Sequence, residues 1–371
     1  MPSSLHIDSG PDWGGGQVQS LGLAVALAHR GEETWFVAQP GSELDSRLRD
    51  SYLRWETMPL RGLPGLRSVR HLARRLTELQ PDIIHIHESA SHVVAGLAAR
   101  MAGHSLPLAG GPRIIATRRT AAPLRRSWLG RAKYLLWCDR LICVSEAIRR
   151  RCLAAGLPES LLTVIPDFVD CRHFDPGVGQ GLGPAKDVPT LLTVGRLTAS
   201  KGHRVLLRAM REVVRRMPGA RLLICGTGMD EAALRRQAHA LGLGDRVEFL
   251  GFAPDVRRVL AQADVFVMPS LSEGLGVAVL EAMAMAKPVV VGDASNLPGS
   301  VVHGQTGLVI RPGRADALAG ALIELLSDPA KAESMGRAGR ERALACFDRP
   351  RIVEQVLALY EEVLAGPPCR A

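Results

Sequence analysis

Four charged side chains in the second half of the chain have the types and spacing to handle a phosphorylated ligand. In "TVGRLTASKG", Arg196 and Lys201 lie five residues apart in a glycine-containing turn. Two cations so placed can clamp a diphosphate through charge-assisted hydrogen bonds. In "SEGLGVAVLEAMAMAKPVVV" (272–291), Glu273 and Glu281 have seven residues between them, all glycine or apolar. Read as a helix starting near Gly276, the segment carries an apolar stripe of Val277, Leu280 and Ala284. Glu281 is four residues after Val277 and falls on that stripe. An unpaired buried carboxylate is costly, so a protein group or a ligand must satisfy it. The plain structural reading is two exposed loop cations and an internally paired acid.

The elements that must position these residues repeat along the chain. In the first half, strand-like runs "SLHID", "TWFVA", "DIIHIH", "RIIAT", "RLICVS" and "LTVIPD" are separated by amphipathic segments such as "GLRSVRHLARRLTELQ". A stretch rich in glycine and proline follows. The pattern then restarts with "TLLTVG", "ARLLICG", "RVEFLG", "DVFVMPS", "KPVVVG" and "TGLVI". Alternation of this kind predicts parallel α/β sheets. The tail from Arg314 to Ala365 is helical in pattern. The fold class expected is α/β, with two doubly wound, Rossmann-like domains facing a cleft and a helical C-terminus. The expected boundaries are 1–171, a linker at 172–188, a second domain at 189–345, and a C-terminal helix within 346–371 packing back on the first domain. Ligands in such sheets bind beyond the carboxyl ends of strands.

Glycines gather at those ends. "HIDSGPDWGGGQVQS" puts Gly14, Gly15 and Gly16 between a strand and a helix, where backbone N–H groups face an anion. It is neither the spaced dinucleotide fingerprint nor a Walker motif. "ICGTGMDE" adds Gly226 and Gly228, "FLGFAPD" adds Phe252, and "MPSLSEGLG" adds Gly274, Leu275 and Gly276. His85 and His87 of "DIIHIHE" share one strand face and could chelate a metal, but the sequence offers no third ligand cluster, and buried, hydrogen-bonded histidine is the stronger reading.

Bulk properties narrow the partners. The 371 residues carry a net charge of +9 and are 47% apolar, a globular composition. Seven cysteines without a C-x-x-C pair argue against a disulfide framework or zinc site and point to the cytoplasm. No signal peptide or membrane-spanning run is read. Basic charge concentrates from Arg113 to Arg151, opposed only by Asp139 and Glu146. A solvated helix face or an anionic surface or substrate both accommodate that. No nucleic-acid-binding signature is present. The segment "LRRSWLGRAKYLLW" (124–137) mixes cations with Trp128, Tyr134 and Trp137, suiting either an anionic membrane surface or inward-packed aromatics.

Taken together, "GRL…KG", "EGLGVAVLEAMAMAKPVVV", "GGG", "CVSEAI", "VIPDFVD" and "GQTGLVI" closely resemble the retaining glycosyltransferases of family 4, the group 1 enzymes with a GT-B fold. Within the group, "WGGGQVQ" and "ATRR" look most like enzymes building lipopolysaccharide core or related envelope glycans. The resemblance implies a nucleotide-sugar donor, UDP- or GDP-linked, a glycan or lipid-linked acceptor, and no metal. It implies that Glu281 binds the donor ribose, Glu273 the donor sugar, and Arg196 and Lys201 the diphosphate. Gly15 and Gly16 would close over it, Gly226, Gly228 and Phe252 would line the nucleotide site, and Gly274, Leu275 and Gly276 would offer amides. His87 and Arg119 are the acceptor-side candidates. The expected place is the cytoplasm, on the inner face of the membrane.

Three departures from the family pattern stand out. Arg118 and Arg119 occupy "ATRR" where a histidine is common, with Arg119 aligned to it; Asp167 and Phe168 replace the usual "NG"; Gly299 stands where glutamate is common. Alternation in an extended chain sends only one of the two arginines toward a ligand, and Arg119 is the choice. Two rival functions remain at this stage: a sugar-nucleotide epimerase of the same fold, and a basic nucleic-acid or regulatory binding protein.

Overall fold

The computed structural model describes residues 2–61, 65–103, 111–120, 124, 128–179, 188–294 and 297–366. The chain divides into two compact units, Met1–Asp167 with Pro350–Ala371, and Phe168–Arg349. Of the expected linker, residues 180–187 lie outside the described residues. Residues 168–179 belong to the second unit, where Arg340 binds Asp175 Oδ2 at 2.6 Å and the Phe174 carbonyl at 3.2 Å.

The first unit is built on β1 (Ser4–Asp8), β2 (Thr34–Ala38), β3 (Arg54–Thr57), β4 (Ile83–Ile86), β5 (Arg113–Arg118), β6 (Arg140–Cys143) and β7 (Leu162–Val164). Between them run α1 (Gly15–His29), α2 (Glu43–Arg49), α3 (Leu66–Leu79), α4 (Ser91–Met101), α5 (Trp128–Trp137) and α6 (Glu146–Ala154). The strands pair in the order β3-β2-β1-β4-β5-β6-β7, all in parallel. Helices cover parallel sheets on both faces, so the inner strands read as continuous apolar runs. β1, β2 and β4 are indeed buried throughout. β3 was not expected: "RWET" is a short edge strand, half-buried and without an apolar run.

The second unit holds β8 (Thr190–Val194), β9 (Arg221–Cys225), β10 (Val247–Gly251), β11 (Val265–Met268), β12 (Val289–Gly292) and β13 (Gly307–Ile310). Its helices are α7 (His203–Arg216), α8 (Glu231–Ala240), α9 (Val256–Ala261), α10 (Val277–Ala284), α11 (Leu297–Ser300), α12 (Ala315–Ser327) and α13 (Pro329–Phe347). Strand order is β10-β9-β8-β11-β12-β13. A core of β-branched and leucine side chains from β8, β9, β11, α7 and α12 fills one face. α14 (Arg349–Ala365) then returns to the first unit. Its Tyr360 is fully buried there, with its hydroxyl 2.6 Å from His85 Nδ1.

Each sheet reverses its winding at one point, between β1 and β4 in the first unit and between β8 and β11 in the second. Loops diverge there, leaving a crevice at the carboxyl ends where ligands bind. Among the described residues, no helix is long and apolar enough to cross a membrane.

Candidate active site

In the second unit, the loops after β8, β9, β10 and β11 are sewn together by backbone hydrogen bonds. Leu197 N donates to Thr227 O at 2.8 Å, Gly226 N to Gly251 O at 2.7 Å, and Leu271 N to Ser200 O at 2.7 Å. The approach is so close that side chains are excluded. A Cβ on Gly226 would lie 2.0 Å from Gly195 O, and one on Gly228 2.4 Å from Leu197 O. Gly226 and Gly228 therefore hold the rim together; ligand contact is not required to explain them.

This lacing gathers the charged residues at the switch between β8 and β11. Arg196 is exposed just past β8. Lys201 forms an ion pair with Glu273 from the loop after β11, and Ser270 Oγ donates to the same carboxylate at 3.1 Å. Glu273 is only 10% exposed, so the pair is shielded from water. Gly276 takes a left-handed conformation, φ 79°, as the chain turns into α10. Gly274 and Leu275 precede it, and Leu275 is buried. Phe252, just past β10, is 52% exposed, a large apolar ring left on the rim.

α10 differs from the expected one-striped helix. It is buried on most sides, through Val279, Leu280, Ala282, Met283 and Ala284. Val277, Ala278 and Glu281 form its partly open line. Glu281 thus keeps some solvent access while its surroundings strip away most of its water. Burial pushes its carboxyl up to about 8. Among the described residues, no donor or cation pairs with it. Its charge is felt by Cys225 at the end of β9, whose thiol is pushed up first by burial and also by Glu281.

The first unit gathers a second group at its own switch point. Gly14 is extended, and none of Gly14, Gly15 and Gly16 has a positive φ. A Cβ on Gly16 would meet nothing nearer than Glu88 Oε1 at 4.0 Å. Neither backbone conformation nor crowding demands glycine at 16, so the open space there is available to a ligand. Glu88 itself is half-buried, and burial, then Asp8, raise its carboxyl.

Arg118 and Arg119 diverge as expected of extended chain, but neither is an exposed surface charge. Arg118 is buried and bonds Tyr134. Arg119 donates from Nε to Asp167 Oδ1 at 2.8 Å and from NH1 toward His87 Nδ1 at 3.4 Å. Its side chain is 17% exposed. Two of the departures from the family pattern are therefore one ion pair. The third, Gly299, is exposed with open space around it.

The metal question needs correction on one point, because a third imidazole does exist. His6 on β1 pairs in register with His85 on β4 and stands beside His87, with ligand atoms within 4.8 Å. All three are buried. Every ring nitrogen already has a partner: His6 bonds Ser4 Oγ and His87, His85 bonds Tyr360 and Thr117 Oγ1, and His87 bonds His6 and Arg119. Burial and the Arg119 charge both disfavour added positive charge, pushing His6 down to about 3. The residues present fit a hydrogen-bonded core better than a cation site.

In α5, Tyr134 is buried with its ring 5.0 Å from that of His92, and the Trp137 ring occupies the space above Gly96. These aromatics face α4, not solvent. Arg125 and Arg126 lie outside the described residues.

The comparisons with known proteins agree with this geometry. The family model described as Glycosyl transferases group 1 matches residues 180–342, and that of Glycosyltransferase Family 4 matches 13–173. The chain is 35% identical to a GDP-mannose-dependent alpha-(1-6)-phosphatidylinositol monomannoside mannosyltransferase of Mycobacterium tuberculosis, covering 75% of each chain. It is 28% identical to the lipopolysaccharide core biosynthesis glycosyltransferase LpsE of Rhizobium meliloti, covering 98% of this chain and 99% of that one. Among solved structures, a glycosyltransferase of Rickettsia africae matches with a TM-score of 0.86 at 19% identity, over 98% of this chain and 99% of that one. Anabaena Alr3699/HepE, solved with UDP and glucose, matches at 0.84 and 20% identity, over 97% of this chain and all of that one. The shared fold is GT-B.

Glu281 yields a pH test. The folded carboxyl holds its proton to about pH 8, whereas the unfolded one loses it near 4.5. Raising the pH through that window therefore removes stability. Glu281→Gln should match the parent in thermal unfolding at pH 5 and exceed it by about 2–4 kcal/mol at pH 9. Equal stability at pH 9 would show that Glu281 is solvated.

Proposed function

The chain belongs to the group 1 glycosyltransferases, and from that premise we propose that it moves a sugar from a UDP- or GDP-sugar to a glycan or lipid-linked acceptor, with retention of configuration and without a metal. The observation that carries this reading is a buried-side carboxylate, Glu281, left without a protein partner beside a cationic rim at the strand switch. Ribose hydroxyls donating to Glu281 would supply the missing partner and favour its ionised form. Arg196 and Lys201 would take the diphosphate. Lys201 would then exchange Glu273 for a phosphate oxygen, freeing Glu273 to accept from the donor sugar hydroxyls.

In the transfer step, the bond from the anomeric carbon to the diphosphate oxygen breaks. A bond from that carbon to the acceptor hydroxyl forms on the same face. The hydroxyl proton passes to the departing diphosphate oxygen, and the negative charge of the leaving group develops against Arg196 and Lys201. On the acceptor side, Arg119 would bind a phosphate or carboxylate, because it stays charged and cannot act as a base. His87 is enclosed and engaged at both nitrogens, so it supports Arg119 and does not touch the acceptor itself.

A thermal-shift screen over nucleoside diphosphates and nucleotide sugars tests the donor, since a ligand that prefers the folded chain raises its midpoint. Turnover with the donor so found should survive EDTA. Lys201→Ala and Arg196→Ala should each cost about 2–4 kcal/mol of transition-state stabilisation. Loss of activity on chelation, restored by magnesium, would refute the cationic clamp; release of a free epimer without acceptor would favour an epimerase.

For a lipid-linked acceptor, we place the membrane contact of this cytoplasmic enzyme on α4, in place of the aromatics of α5. Val93, Leu97 and Met101 are all exposed and, four residues apart, form one line along that helix. Arg67, Arg70 and Arg74 are exposed on α3, which packs beside it. An apolar ridge flanked by arginines suits an anionic bilayer surface. Leu97→Glu should abolish sedimentation with vesicles containing phosphatidylglycerol. Unchanged sedimentation, or binding indifferent to salt and lipid charge, would remove this assignment.

A further inference from the structure

Arginine can only donate, and that fact sets the direction of a buried chain of hydrogen bonds. Arg119 NH1 lies 3.4 Å from His87 Nδ1, so Nδ1 accepts. The single proton of neutral His87 is then on Nε2, which lies 2.9 Å from His6 Nδ1. His6 Nδ1 must accept in turn, which puts the His6 proton on Nε2, 3.2 Å from Ser4 Oγ. The order Arg119, His87, His6, Ser4 is thus a one-way relay with both tautomers fixed. The rings are stacked, with centroids 5.1 Å apart and 14° between planes. Neither histidine has solvent access through which to turn.

The far side of Arg119 is fixed as well. Nε donates to Asp167 Oδ1 at 2.8 Å, and Asp167 is buried. Nε and NH1 are therefore committed inward, to partners from two different strand ends. NH2 has no hydrogen-bond partner among the described residues and is not sealed from water.

We infer that His87 and His6 are positioning residues: they brace the Arg119–Asp167 pair so that the remaining N–H edge of Arg119 is held ready for an anionic group of the acceptor. This deepens the acceptor-side reading of Arg119 and rests on it. An unbraced guanidinium beside one carboxylate can rotate about its side-chain bonds. One held at Nε and at NH1 has a single orientation, and an anion binding to NH2 loses no side-chain freedom in the process. A protonated His87 would aim an N–H at the guanidinium, so the brace works only with the neutral ring. Burial and the Arg119 charge keep both rings neutral.

The test uses the full chain with histidine labelled in its ring nitrogens, and inorganic phosphate as the probe. Ring shifts at pH 7 should show both His87 and His6 neutral, protonated on Nε2 and unprotonated on Nδ1. Phosphate should perturb His87 Nδ1, and the perturbation should vanish in Arg119→Ala. His87→Gln keeps a donor toward His6 but loses the acceptor for Arg119, and phosphate binding should weaken about tenfold. His87→Asn places an amide oxygen near the Nδ1 position and should restore binding to within about threefold of the parent. A ring protonated on Nδ1, a cationic ring, or parent-like phosphate binding by His87→Gln would overturn the brace. Parent-like phosphate binding by Arg119→Ala, with the ring assignment intact, would instead overturn the acceptor role on which it rests.

Discussion

The rim of the second unit depends on backbone packed against backbone. Two loops meet where the Gly226 backbone rests against the Gly195 carbonyl, leaving no space for a Cβ. Because that contact is rigid, Arg196 and Lys201 on one loop keep a fixed relation to the loops that follow β9 and β11. Preorganised charge is effective because it need not be rearranged when a ligand's charge develops. Without a ligand, the same arrangement would hold like charges together with little water. Lys201 and Glu273 solve that by pairing with each other.

The first unit takes a different course, with polar side chains in a parallel sheet where apolar ones are the rule. Three imidazoles side by side are tolerable only because all six nitrogens are bonded. A partly bonded cluster would cost more than an apolar one. The β1 to β4 register, which sets His6 opposite His85, is therefore tied to side-chain bonding as well as to packing.

What could be read from the sequence follows from the range of the interactions involved. Twelve strands announce themselves as local apolar runs; β3, a polar edge strand of four residues, does not. Helix α10 was readable as a helix, but how many of its sides are buried depends on β11, β12 and α13 closing around it. His6 sits in plain view in "SLHID", yet its meaning needs the pairing of β1 with β4, 79 positions further on at His85. Arg119 and Asp167 looked like two unrelated departures because 48 residues separate them. The inward turn of Trp137 was set by Gly96, a gap on another helix. Local chemistry was legible, and partnerships across the sheet were not.

The return of α14 to the first unit makes that unit discontinuous, with the whole second unit inserted between Asp167 and Pro350. On a ribosome, residues 168–349 emerge in full before Tyr360 exists to meet His85. The inserted unit can therefore reach its native state while the earlier one still lacks a helix and holds a buried imidazole short of a partner. Synthesis begins with one unit and completes the other first. Until the last turn of the C-terminal helix docks, the older sheet is the species most exposed to chaperones and to mispairing.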